Sequence, residues 1–250
     1  MDHDAQLMQA RLSELAQIAS KQDRTVFSRF LSLADLSVLM SLSARLPVGF
    51  KTWGGHADCE RKMAAFLPYP DTDVLFPIVC LHIRPRSMRF AQDLSHRDFL
   101  GSLIGLGITR DVIGDLFVKN SEAFVFVTDE IAPFICRELS KVSRTDVDVS
   151  LCEEVPDSFL PRPVPVRINL ASCRLDALVG TVYHLSRGNA SALITQKRVF
   201  VNARCIENTS YAPKEGAVIS VRGYGRFRFD TVTGETKKGR LQALVSVYGA

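Results

Sequence analysis

The sequence predicts an α+β chain of several domains, and three observations carry that reading. Apolar residues in the first 46 positions recur at helical spacing. Between residues 74 and 155 the pattern alternates between short apolar runs of strand type and amphipathic runs of helix type. Four of the eleven prolines, Pro156, Pro161, Pro163 and Pro165, then fall in one short stretch, where the sign of the charge also changes. From residue 162 onward 14 Lys+Arg face 5 Asp+Glu, a surplus of +9, whereas residues 1–161 carry 17 basic and 22 acidic residues, a net of −5. Proline removes backbone donors and stiffens the chain, so the stretch continues neither a helix nor a central strand. The expected division is a mostly helical N-terminal domain (1–73), a middle domain (74–155), a proline-rich linker (156–166) and a basic C-terminal domain (167–250).

In the N-terminal region, Leu7, Leu12, Leu15 and Ile18, then Leu36, Leu39, Met40 and Leu46, mark helices that Pro47 and Gly49 end. Trp53-Gly54-Gly55 reads as a turn. In the middle, strands are expected at 76–83, 113–118, 123–128 and 146–151. Helices are expected at 95–106, with Ser95 as N-cap and Asp98 three residues on, and at 130–140. That order, βαββαβ, is the ferredoxin-like arrangement that RNA-recognition modules also use. Phe124 and Phe126, two apart on one strand, share a face. The Lys/Arg-Gly-aromatic pattern of such modules is missing, so the pair is expected to be core beneath the helices. Gly101 and Gly105, four apart, would give the first helix a smooth face for close packing.

In the C-terminal region, Leu175, Leu178, Val179 and Val182 form one apolar helix face. Ala190, Leu193 and Ile194 form another, on a helix opened by Ser186. Strands follow at 199–202 and 219–222, then a Gly- and Arg-rich tail. The start of the second helix, with Arg187 and Asn189 beside it, combines unsatisfied N–H groups, a positive dipole end and a guanidinium, which suits a phosphate. Concentrated positive charge is the footprint of a polyanion partner.

The run Arg174-Leu175-Asp176…Leu185-Ser186-Arg187…Ala190…Leu193-Ile194…Val199…Val201-Asn202 resembles the S4 RNA-binding domain. With Gly216…Ile219-Ser220-Val221-Arg222-Gly223-Tyr224-Gly225-Arg226-Phe227, Thr236-Lys237-Lys238-Gly239-Arg240 and His96-Arg97-Asp98-Phe99-Leu100-Gly101…Arg110…Ile113-Gly114-Asp115, the chain is similar to the bacterial YlmH family. Lys197 departs from the S4 pattern where a glycine often ends the second helix, and Ala217 where an acidic residue often follows Gly216. The resemblance implies an accessory N-terminal domain, an RNA-recognition-like middle domain and a C-terminal S4 domain. It also implies binding of rRNA and tRNA on the large ribosomal subunit, in the rescue of stalled nascent chains. The expected RNA-binding residues are Arg174, Ser186, Arg187, Asn189, Lys197, Arg198, Asn202, Arg222, Arg226, Lys237, Lys238 and Arg240. Arg228 belongs to the same basic patch, and Asn202 equally suits the closing of a turn.

No catalytic residue is expected. Arg174-Leu175-Asp176 resembles the triplet that holds the essential aspartate of pseudouridine synthases, so the alternative is an RNA-modifying enzyme anchored by its S4 domain. However, Asp176 opens a helix, where a carboxylate is favourable, and no segment left over is large enough for a synthase domain. His96-Arg97-Asp98 echoes a kinase catalytic loop, but position 103 is Leu where asparagine is required, and no Gly-rich phosphate loop precedes it. The six cysteines are scattered without a C-x-x-C pair, and the histidines have no ligand spacing, so neither metal nor cofactor is expected. No apolar run approaches the ~20 residues that cross a bilayer, and Asp2 and Asp4 occupy an N-terminus without a signal core. The expectation is a monomeric cytoplasmic protein with no membrane partner and no small-molecule substrate.

Overall fold

The computed structural model describes residues 3–87, 92–237 and 239–248 and divides into two units, Met1–Leu160 and Pro161–Ala250. In the first, α1 (His3–Gln22) buries Leu12, Ala16 and Ala19 at helical spacing. After β1 (Val26–Phe27), helix α2 (Leu33–Leu42) starts at a reciprocal cap: the Asp35 amide donates to Ser32 Oγ at 3.3 Å and the Ser32 amide to the Asp35 carboxylate at 2.9 Å. Then come β2 (Gly49–Trp53) and β3 (Met63–Leu67), which form an antiparallel sheet in the order β1-β3-β2. Beside its helices this region therefore carries a small sheet that the helical reading did not include. All five side chains of β3 are buried, so this strand has no alternating pattern to announce it.

The sequence continues with β4 (Ile78–Pro85), α3 (His96–Gly105), β5 (Ile113–Lys119), β6 (Glu122–Thr128), α4 (Ala132–Glu138), the short β7 (Lys141–Val142) and β8 (Thr145–Cys152). They build an antiparallel sheet in the order β5-β6-β4-β8-β7. Alternation along β4 and β6 sorts side chains to two faces. Leu81, Ile83, Val125 and Val127 pack with Phe99, Leu103 and Ile135 of the helices. Cys80, Phe124 and Phe126 point the other way, and Phe27, Phe30, Met63, Phe76, Val155 and Phe159 cover them. Phe124 and Phe126 are thus core, as expected, but beneath the N-terminal strands and the segment after β8 rather than beneath helices. Gly55 shows how tight that cover is: at φ +98°, a Cβ would stand 2.2 Å from the Phe126 ring.

A half-buried arginine fastens the two layers. Arg61 donates to Ile113 O at 3.0 Å and to Phe30 O and Arg110 O at 3.1 Å each, and desolvation by burial draws its pKa below the ordinary value. At the start of α3, the Ser95 amide and hydroxyl both donate to Asp98, at 2.8 and 2.6 Å. His96-Arg97-Asp98 therefore serves a helix start. Gly101 and Gly105 do not pack closely, since both face open space.

The second unit runs β9 (Pro163–Leu170), α5 (Leu175–Val182), α6 (Arg187–Thr195), β10 (Val199–Val201), β11 (Arg204–Cys205), β12 (Val218–Val221), β13 (Gly225–Glu235) and β14 (Leu241–Tyr248). Its antiparallel sheet has the order β11-β10-β12-β13-β14-β9. Leu175, Leu178, Val179, Ala190, Leu193 and Ile194 bury the two helices against Val199, Ile219, Phe227, Phe229 and Val245. Two expectations change here. Residues 163–166, read as linker, are the first half of β9; a proline-bearing strand is tolerated because β9 is a sheet edge. The Gly- and Arg-rich tail is the long hairpin β13–β14.

Truncating Phe124 leaves a cavity between the two layers of the first unit. Phe124→Ala should lower unfolding stability by about 3–5 kcal/mol, read from the urea midpoint of the transition that reports residues 1–160. A loss below about 1 kcal/mol would mean that the sheet face is not packed as described.

Candidate nucleic-acid interface

Helix α5 begins in a socket of backbone carbonyls. The Leu175 amide donates to Tyr211 O at 2.7 Å and the Asp176 amide to Thr209 O at 3.3 Å, so the first orphan donors of the helix are satisfied. This fixes Asp176, whose side chain is only 3% exposed. Burying a carboxylate is costly unless it is paired, and Arg174 pairs it twice, Nε to Oδ1 at 3.0 Å and Nη2 to Oδ2 at 2.8 Å. The Ala177 amide adds a third bond at 2.9 Å. Arg187, the first residue of α6, approaches the same carboxylate with Nε 3.6 Å from Oδ2, while its side chain stays 79% exposed. The Arg174 hydrogen bonds hold the Asp176 carboxyl below the usual carboxylate range and raise the pKa of Arg174.

These groups line an open cavity of about 500 Å³, together with Asn169, Ser172, Thr181, His184 and Arg240. Arg174 and Arg187 approach the one buried carboxylate and Arg240 lines the same cavity, which leaves the wall with excess positive charge. At its rim Ser186 caps α6, its Oγ accepting from the Asn189 amide at 3.2 Å. Arg174 and Arg187, at the starts of α5 and α6, therefore line one cavity, with Ser186 and Asn189 beside Arg187, and Arg240 joins them from the β13–β14 turn.

Others lie along β10, β12 and β13 and beside the turns at their ends. Arg198 Nη2 donates to Arg222 O at 2.8 Å, and the Arg222 amide returns a bond to Arg198 O at 2.9 Å. Arg198 therefore acts first as a staple. Arg222 lies over Phe200, 5.9 Å from the ring centre, and Arg226 over Tyr248 at 4.3 Å. Lys197 ends α6 in the left-handed conformation, φ +59°, and pairs with Glu207 at 3.5 Å. Asn202 closes the turn after β10: its Oδ1 accepts from the Val218 amide at 2.9 Å. Arg228 is engaged by Asp230 at 2.5 Å. Lys237 is exposed in the hairpin turn, and Lys238 lies outside the described residues.

The middle domain's sheet offers a contrast. RNA-recognition modules stack bases on exposed aromatics of the central strands, but Phe124 and Phe126 are 3% and 5% exposed. Phe159 meets Phe124 edge-on at 4.7 Å, and His82 stacks on it at 4.3 Å.

Residues 73–155 match the family model described as "Putative RNA-binding domain in YlmH". Over 233 residues the chain is 29% identical to the Ribosome-associated protein quality control protein P2 of Bacillus subtilis (strain 168), covering 91% of this chain and 89% of that protein. The middle segment is thus similar to a domain of YlmH. A solved structure, the Cell division protein ylmH from Streptococcus pneumoniae, matches with TM-score 0.51 and 19% identity over 61% of this chain and 93% of that one, a likeness of fold alone. No helix among the described residues is long and apolar enough to cross a membrane. Nor do the described residues include a group of three His, Cys, Asp or Glu that could hold a metal ion.

Sequence reasoning missed Asn169, Thr181 and His184 as cavity residues, because they carry no signal outside the fold. It also placed Asp176 only as a helix start, whereas its main partner is Arg174. Because the folded pKa of Asp176 is depressed, its stabilisation is fully present above the unfolded value of about 3.9 and is lost as pH falls through the folded value. Asp176→Asn should therefore lower Tm at neutral pH, and the gap to wild type should narrow below about pH 4. A gap independent of pH would contradict the ion pair.

Proposed function

We propose that residues 167–250 are an S4-type RNA-binding domain and that the protein is a non-catalytic binder of structured rRNA and tRNA on the large ribosomal subunit. It acts as a monomer in ribosome-associated quality control, the role for which its B. subtilis relative is named. The ferredoxin-like domain at 74–155, matched as a putative RNA-binding domain, completes the chain with the accessory N-terminal domain, and residues 156–162 join it to the basic half.

The observation that carries this reading is the cavity lined by Arg174, Arg187 and Arg240 and by a single buried carboxylate, Asp176. Guanidinium groups suit phosphate because their planar donors match its oxygens in pairs. Preorganisation by Asp176 means that less side-chain freedom is lost when a phosphate arrives. The mechanism is binding energy that holds a tRNA-bearing complex in place. Asp176 supports binding better than catalysis: its oxygens are taken up by Arg174 and the Ala177 amide, and a depressed pKa makes it a weak base.

The protein should co-sediment with large ribosomal subunits at low salt. Replacing Arg187 and Arg240 together by Ala should weaken association and lower the slope of log affinity against log salt by about 2, roughly 1 for each phosphate contact removed. Unchanged association and slope in the double variant would overturn the assignment of the cavity.

A further inference from the structure

The turn between β12 and β13 carries an aromatic ring that the phosphate-binding reading does not use. Tyr224 sits at its tip, 41% exposed, between Gly223 at φ +88° and Gly225 at φ +106°. The turn is held from three sides. The Tyr224 amide donates to Val221 O at 2.9 Å, closing it. The Arg198 side chain and backbone both bond the backbone of Arg222, and the positive φ of Gly223 favours glycine at the turn. The Tyr224 ring is propped by Tyr183, with ring centres 5.4 Å apart, and Tyr183 rests in turn on the buried Phe227 at 5.8 Å. An exposed aromatic backed by core aromatics on a stapled turn loses little freedom when something stacks on it.

Its neighbours define what would stack. Arg222 and Arg226 stand two residues to either side, each drawn over an aromatic ring of the sheet. Cations flanking a ring that has an open side suit a single unpaired base, with the ring taking the base and the guanidinium groups the adjoining phosphates. A continuous duplex keeps its bases stacked inward and offers the ring nothing. We infer that Tyr224 is a base-stacking site and that the RNA taken by this domain presents an unpaired or splayed nucleotide beside its helical part. This deepens the proposed RNA-binding function and rests on it.

The test compares two short RNA hairpins in binding to the full-length protein. One carries a single unpaired 2-aminopurine in its stem, and the other is fully paired. Wild type should prefer the bulged hairpin and quench its 2-aminopurine fluorescence by stacking. Tyr224→Ser should bind the bulged hairpin about tenfold more weakly, lose the quenching, and keep the same salt slope because no cation is removed. Its affinity for the paired hairpin should not change, and Tyr224→Trp should restore both affinity and quenching. An equal loss on both hairpins, or no loss on the bulged one, would overturn the stacking site while leaving the RNA-binding function intact. Failure of wild type to bind either hairpin would overturn both.

Discussion

The ion pair between Arg174 and Asp176 is the constraint on which the basic face of the C-terminal unit depends. A carboxylate that is almost wholly buried must be compensated, and here compensation comes from a residue two positions earlier in sequence and from the amide that follows. The pair therefore forms wherever α5 forms, and carbonyls of residues 209–211 fix where α5 begins. Arg187 is drawn to the same carboxylate from the start of α6, so one negative charge orients cations from two elements. Arg174 and Arg187 would repel one another without it; with it they form, beside Arg240, a charged wall whose surplus is directed at the cavity.

The two units divide the labour of the chain by opposite treatment of their aromatics. In the first, a sheet face of the type that elsewhere stacks bases is closed by Phe27, Phe30, Phe76 and Phe159, and net charge over residues 1–161 is −5. In the second, with net +9, aromatics lie under or beside arginines: Phe200 beneath Arg222, Tyr248 beneath Arg226. A negative unit with a sealed sheet and a positive unit with exposed guanidinium groups are physically unequal candidates for a polyanion.

Features made by neighbours in sequence were legible before the fold was known. Ser95 with Asp98 and Ser186 with Asn189 start their helices as expected, because a cap needs only residues within one turn. The apolar stripes of α5 and α6 meet the sheet as their spacing requires. What was not legible depends on distant partners. Phe124 and Phe126 were read as core, but their cover comes from strands 60 to 100 residues earlier and from Phe159, pairings that no local pattern records. β3 lacks alternation because both its faces are buried. β9 was hidden by its prolines, whose meaning changes when the strand is an edge. Among the site residues, charge pointed to the arginines but not to their division into a cavity group and a stapled-turn group. Asn202 and Arg198 turn out to bond the backbone of their own fold.

The most direct test of this division is photo-crosslinking of the full-length protein on purified large ribosomal subunits, with the crosslinked peptides mapped by mass spectrometry. RNA crosslinks are expected within residues 169–187 and 222–240. Crosslinks concentrated instead on His82, Phe124 and Phe126 would contradict it, because they would require the covered sheet face of the first unit to open and take the RNA itself.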